Sequence, residues 1–242
     1  MKLTIIETGL PPQAIRADWP RYPAMFERLI GPNLPDITFE SVPVVEGAPF
    51  PSLDTVEAIL VTGSAAGVYE DHAWMAPLFD FIQRAGESRI PQIGVCFGHQ
   101  AIAAAMGARV EKSDKGWGLG RHIYDVRHQP DWMTGLTGKT FSLGVSHQDQ
   151  VLSLPDGATV VASSDFTPYA ALDYGDTPAI SFQGHPEFSS GFCCALYNVR
   201  RGTAFSAERV DEACDSLGVP VDNALVGRWM AQFLSQSVRE RK

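Results

Sequence analysis

The chain has 242 residues, 45% of them hydrophobic and 19% charged, a composition that fits a folded soluble chain and excludes a disordered one. Its 19 Lys and Arg stand against 28 Asp and Glu, a formal charge of -9, which argues against a nucleic-acid partner held through its phosphates. The apolar start is too short for a signal peptide, no run reaches the roughly 18 apolar residues of a membrane span, and four cysteines make no disulfide framework in a chain this long, so the cytoplasm is the expected compartment.

Taken in order, residues 3–7 predict a first strand, stopped by Thr8-Gly9 and the Pro11-Pro12 pair. A helix is expected over 22–30, a second strand over 37–45, and a loop over 46–54. Residues 58–61 are continuously apolar, as in a strand buried on both faces of a parallel sheet. They lead into Gly63-Ser64-Ala65-Ala66-Gly67, a loop of small residues. A helix follows with Trp74, Leu78, Phe79, Phe81 and Ile82 on its apolar side, running toward Gly86. Residues 91–95 read as the next buried strand, and 98–106 as a helix ended by Gly107. This alternation predicts a parallel α/β sheet with helices on both faces. Between 108 and 182 the texture changes to short β-like runs at 121–126, 159–162 and 179–182, which predict added strands, some antiparallel. From about 189 the chain turns helical again, with an amphipathic stretch at 225–234 and a solvated basic end at 239–242. One domain over 1–242 is expected.

The sharpest local feature is Gly94-Val95-Cys96-Phe97-Gly98-His99-Gln100. A buried strand runs into Cys96 and a helix begins at once, the layout of a nucleophile elbow. The helix start aims its N–H groups at the sulfur, which favours a thiolate, and the Phe97 N–H is placed to donate to an oxyanion. Taken alone, this setting leaves Cys96 open as either a nucleophile or a small buried core thiol. A thiolate needs an acid/base partner. Gly184-His185-Pro186-Glu187 offers one at the end of the apolar run 179–182, with His185 and Glu187 on the same side of an extended segment.

The stretch around Gly94–Gln100 resembles the nucleophile motif of class I, triad-type glutamine amidotransferases, and Gly184-His185-Pro186-Glu187 resembles the same family's His/Glu motif. Val145-Ser146-His147-Gln148-Asp149-Gln150-Val151 and Gly116-Trp117-Gly118-Leu119-Gly120 are similar to stretches of its GMP-synthase-type branch. The resemblance implies an α/β flavodoxin-like three-layer sandwich, with a mostly parallel central sheet and added antiparallel strands. It implies that Cys96 attacks the γ-amide of glutamine, or of a γ-glutamyl compound, through a thioester, with His185 as acid and base and Glu187 orienting it. Gly63 and Phe97 would form the oxyanion hole, and Gln100, Ser146 and His147 would hold the α-end of the substrate. No metal or organic cofactor is implied. The Gly63 loop departs from the family's Gly-Gly-Pro start, and no synthase region is evident. The expectation is therefore a glutaminase that serves a separate acceptor subunit, with a stand-alone γ-glutamyl hydrolase or peptidase, or a non-catalytic binding protein, as alternatives.

The other candidates read as structural. His99 belongs to packing beside the nucleophile, and His72, His122 and His128 to surface or loops. His147 with Asp149 lacks a third metal ligand and reads as part of a substrate loop. Cys193, Cys194 and Cys214 read as core thiols, and Trp117 as a cover for the pocket or a loop aromatic packed on the core.

Overall fold

A computed structural model describes residues 1–240; Arg241 and Lys242, half of the expected basic end, lie outside the described residues. Its centre is a nine-stranded sheet flanked by helices. Strands β1 (Lys2–Ile6), β2 (Thr38–Val42), β3 (Ala58–Val61), β4 (Gln92–Val95) and β11 (Ala179–Phe182) form the parallel part, in the order β2-β1-β3-β4-β11. The antiparallel part continues from β11 through β10 (Ala171–Asp173), β9 (Thr159–Ser163), β6 (Gly118–Val126) and β7 (Thr140–His147). A separate antiparallel pair joins β5 (Val110–Lys112) to β8 (Asp149–Val151).

The inner strands β3, β4 and β11 are buried at every residue, which is why they are mostly apolar, with only Gln92 and Ser181 polar. Their side chains alternate between two cores. Leu3, Ile5 and Leu60 meet Phe26 and Ile30 of α1 (Tyr22–Ile30) and Trp229 of α6 (Asn223–Glu240) on one face. Ile6, Ile59 and Val61 meet Leu78 and Ile82 of α2 (Met75–Glu87) and Phe97 and Ile102 of α3 (Phe97–Ala105) on the other. A third cluster packs α4 (Ser190–Val199) and α5 (Ala207–Ser216) with Tyr22 and Phe188. Both helices begin on a serine cap, Ser189 accepting from the Phe192 N–H and Ser206 from the Arg209 N–H, each at 3.2 Å.

The predicted α/β sandwich is the observed architecture. The second strand is shorter than expected because Pro43, which has no N–H to give a ladder, opens a tight turn. His122 also departs from expectation: it lies half-buried on β6, edge-on to Phe166, and burial lowers its pKa to about 4. Among the described residues, no helix is long and apolar enough to cross a membrane.

Candidate active site

The strand order 2-1-3-4-5, with β11 as the fifth strand, puts a topological switch point beside β1, and ligands on such sheets bind at the carboxyl ends of the strands. Four adjacent strands deliver their following residues there: Thr8 after β1, Gly63 after β3, Cys96 after β4 and His185 after β11.

Cys96 occupies a sharp turn with φ 53° and ψ -103°, a left-handed backbone that a side chain rarely adopts. The turn is held on both sides, by the Cys96 N–H donating to the Phe182 carbonyl at 2.8 Å and the Gly98 N–H to the Thr62 carbonyl at 3.1 Å. The flanking glycines are steric requirements. A Cβ on Gly94 would sit 2.4 Å from the Gly98 carbonyl oxygen, and one on Gly98 only 2.1 Å from that of Val61. The Phe97 N–H belongs to the first turn of α3, where no intrahelical acceptor exists.

His185 is buried and donates from Nδ1 to Glu187 Oε1 at 2.8 Å. Its ring stacks on Phe188 with centroids 3.9 Å apart, and its backbone N–H is tied to the Gly144 carbonyl at 2.9 Å. Burial opposes a charge on His185. The charges of Cys96 and Glu187 and hydrogen bonds with both outweigh it, pushing the imidazole up to about 10. Gly63 lies against this pair: a Cβ there would be 3.0 Å from His185 Cε1 and 3.8 Å from Cys96 Cβ. The Gly63 carbonyl accepts from the Thr62 hydroxyl at 3.1 Å and the Thr8 hydroxyl at 3.4 Å. In a trans peptide this turns the Ser64 N–H the opposite way.

A cavity of about 210 Å³, scaled to a small molecule, opens over the sulfur. Cys96, His185, Gly63, Gln100, Ser146, His147 and Trp117 all line it, so the sequence-predicted site is gathered in one place apart from Phe97 and Glu187, which stand directly behind the wall. Gln100 is already engaged, its amide donating to the Asp149 carbonyl at 2.9 Å and to Gln183 Oε1 at 3.1 Å. His147 turns Nδ1 to the Asp149 carbonyl at 3.1 Å, and burial, with His122 nearby, lowers its pKa to about 3. His99 lies wholly inside the protein against the Ser181 hydroxyl at 2.7 Å, held neutral by burial with a pKa of about 3. Cys193 and Cys194 are pushed up to about 12 by burial, so neither is a thiolate at neutral pH. Among the described residues, no group of three or more His, Cys, Asp or Glu could hold a metal ion.

Sequence reasoning did not single out Thr8, Tyr69 or Arg200. Thr8-Gly9 marks the end of a predicted strand, which is the one signal that could have drawn attention to Thr8.

A thiol elbow beside a histidine-carboxylate pair at the carboxyl edge of a doubly wound sheet is an arrangement suited to nucleophilic hydrolysis. The class-I glutamine amidotransferase family model matches residues 38–192, and the chain belongs to that family. Relatives include a glutamine amidotransferase-like protein of Schizosaccharomyces pombe, 29% identical over 74% of this chain and 72% of that one. Gamma-glutamyl peptidase 3 of Arabidopsis thaliana is 30% identical over 57% of each chain. One subunit of the glutamine-hydrolyzing GMP synthase of Methanosarcina mazei is 38% identical over 46% of this chain and 56% of that one. The chain thus spans little more than half the length of the last two. The fold is shared with a solved glutamine amidotransferase from Methylobacillus flagellatus, with a TM-score of 0.77 and 21% identity over 99% of this chain and 94% of that one.

Proposed function

We propose that the protein hydrolyses the γ-amide bond of γ-glutamyl compounds through a thioester on Cys96. The observation that carries this reading is Cys96 on its strained turn, facing a His185 whose other nitrogen is committed to Glu187. The proton a nucleophilic sulfur must shed passes to His185, on which the neighbours Cys96 and Glu187 favour the charged state. The sulfur attacks the γ-carbonyl carbon, and the Gly63 and Phe97 N–H groups stabilise the oxyanion. The C–N bond then breaks, His185 gives its proton to the departing amine, and a γ-glutamyl thioester remains. Water, losing a proton to His185, attacks the thioester; the C–S bond breaks and glutamate leaves. Glu187 keeps the imidazole in the productive orientation throughout. Gln100, Ser146 and His147 hold the α-end of the substrate.

The test is purified full-length chain with glutamine and a set of γ-glutamyl peptides, reading glutamate, ammonia and free amine, together with labelling by a diazo-ketone glutamine analogue. One adduct per chain at Cys96 is expected. An adduct at Cys193, Cys194 or Cys214 would overturn the assignment. The likeness to one subunit of a GMP synthase favours a second reading, in which ammonia passes to a separate synthase subunit. Hydrolysis of glutamine alone, and only feebly without a partner, would favour that reading.

A further inference from the structure

The lining of the cavity falls into two chemically different groups. One is polar and carries both signs of charge in Glu70, Lys112 and Asp149, with the Tyr69 hydroxyl donating to Asp149 Oδ2 at 2.8 Å. That mixture suits the zwitterionic α-carbon end of a glutamyl group. The other comprises Leu10, Pro12, Tyr22, Phe188 and Leu196, with a single charged side chain, Arg200. Tyr22, Phe188 and Leu196 belong to the third core cluster, and Phe188 covers one face of the His185 ring. A departing amine must be protonated by His185, against which Phe188 lies, so this apolar group is placed beside the leaving amine.

Arg200 is held ready. It caps α4 at the carboxyl end, where the helix dipole favours a cation. Its own carbonyl accepts from the N–H groups of Thr203, Ala204 and Phe205, which fixes the turn that carries it. Its guanidinium lies 4.8 Å from the centroid of the Trp117 ring, and Trp117 in turn packs edge-on against Phe205. Among the described residues, no hydrogen bond or ion pair engages that guanidinium. A half-buried fork of five donors, stacked and unclaimed, is matched to a carboxylate. Free glutamine would make no use of it: its leaving group is ammonia, which needs no apolar wall and, once protonated, is repelled by a cation.

We infer that Arg200, stacked on Trp117, reads a carboxylate on the leaving amine. The preferred substrates are then γ-glutamyl amino acids or peptides with an apolar residue next to the γ-bond, rather than glutamine or γ-glutamyl amines. This rests on the proposed chemistry at Cys96, and the experiment separates the two. The full-length chain is given γ-glutamyl-leucine, its leucine amide, and γ-glutamyl-isopentylamine, which lacks the carboxyl group. The expected preference in kcat/KM for the free acid is about 10- to 100-fold, the range of a charge-assisted hydrogen bond. Arg200→Gln should bring the three substrates within about threefold of one another, and Arg200→Lys should restore only part of the preference. Binding to Cys96→Ala, measured by calorimetry, reads the recognition without turnover and should favour the free acid by a similar factor.

Equal kcat/KM for the three substrates in the native protein, with amine released from each, overturns the role of Arg200 and leaves the thioester chemistry standing. No cleavage of any of them, with Cys96→Ala still preferring the free acid, supports the carboxylate site and overturns the chemistry. Cys96→Ala binding acid and amide alike overturns the inference whatever the turnover shows.

Discussion

Replacing Gly98 with alanine should damage stability and reactivity together, because the contact it creates is between backbones and neither can yield cheaply. The added methyl would lie 2.1 Å from the Val61 carbonyl oxygen and 2.8 Å from its carbon, where ordinary contact begins at 3.4 Å. Relief requires β3 and the start of α3 to part by about 1 Å, and both are buried at the centre of the sheet. Overpacking of this kind costs about 3 kcal/mol, which lowers Tm by roughly 6–12 °C in a chain of this size. The displaced groups are the ones the chemistry needs. Val61 lies two residues before Gly63, and Gly98 two residues after Cys96, so the sulfur and the proposed oxyanion donors Gly63 and Phe97 move apart. A misplacement of about 1 Å costs on the order of 100-fold in turnover. Calorimetry gives the Tm, and the rate of Cys96 labelling by the diazo-ketone analogue gives the reactivity. Gly31→Ala serves as control, since its Cβ would meet Phe39 at an ordinary 3.7 Å. Native Tm together with native labelling in Gly98→Ala would refute the account of the elbow.

Three further outcomes are expected. His185→Ala should lose turnover by on the order of 100-fold or more and Glu187→Gln by a smaller factor, since the amide keeps much of the geometry and loses only the charge; native rates in His185→Ala would remove the triad. In a nuclear magnetic resonance titration of nitrogen-labelled histidine, His185 should stay protonated through neutrality and become neutral as the pH rises through about 10, and its value should fall in Cys96→Ser, which removes the sulfur's contribution. Titration of the native imidazole near its ordinary value of about 6.5 would contradict the raised value of His185. Arg21→Ala should destabilise the fold by about 2 kcal/mol in denaturant unfolding, because Arg21 pairs at 2.6 Å with the fully buried carboxylate of Glu7 and would leave it alone in the core; an unchanged midpoint would show that the pair contributes nothing.

What could be read in the sequence was what local sterics and burial impose. The runs 58–61 and 179–182 coincide with β3 and β11, and 22–30 with α1, because a strand covered on both faces or a helix with one apolar side leaves its pattern within a few residues. The elbow was legible for a similar reason: Gly94 and Gly98 have no room for a Cβ, so the chain announces the turn in its glycines. Strand β7 escaped. Its residues mix Thr, Ser, Gly and His among the apolar ones. Phe141, Leu143 and Val145 are buried by packing against residues distant in sequence such as Trp229, while the strand pairs with β6 from Gly118↔His147 to Asp125↔Thr140. Arg200 escaped as well. Next to Arg201 at a helix end it reads as solvated charge, and only the distant Trp117 ring turns it toward the cavity.

The two halves of the sheet carry different parts of the proposed site. The parallel half carries the proposed reacting groups, because adjacent strands of that half all end at one edge and place nearby residues there: Thr8 to brace Gly63, Cys96 on its turn, His185 with Glu187 behind it. The antiparallel half and the helices beyond it add what surrounds the reaction. Ser146 and His147 end β7, Asp149 opens β8, and Arg200 ends α4. Sterics constrain the first set tightly, as the 2.1 Å and 2.4 Å approaches behind the thiol demand. The second set is joined to the first only through tertiary contacts such as the bond of the His185 N–H to the Gly144 carbonyl. Changes at Arg200 or Trp117 should therefore alter which amine departs while leaving Cys96 labelling near its native rate, whereas changes at Gly98 or Gly63 should suppress labelling whatever the leaving group. Loss of Cys96 labelling in Arg200→Gln would show that the two halves are not separable in this way.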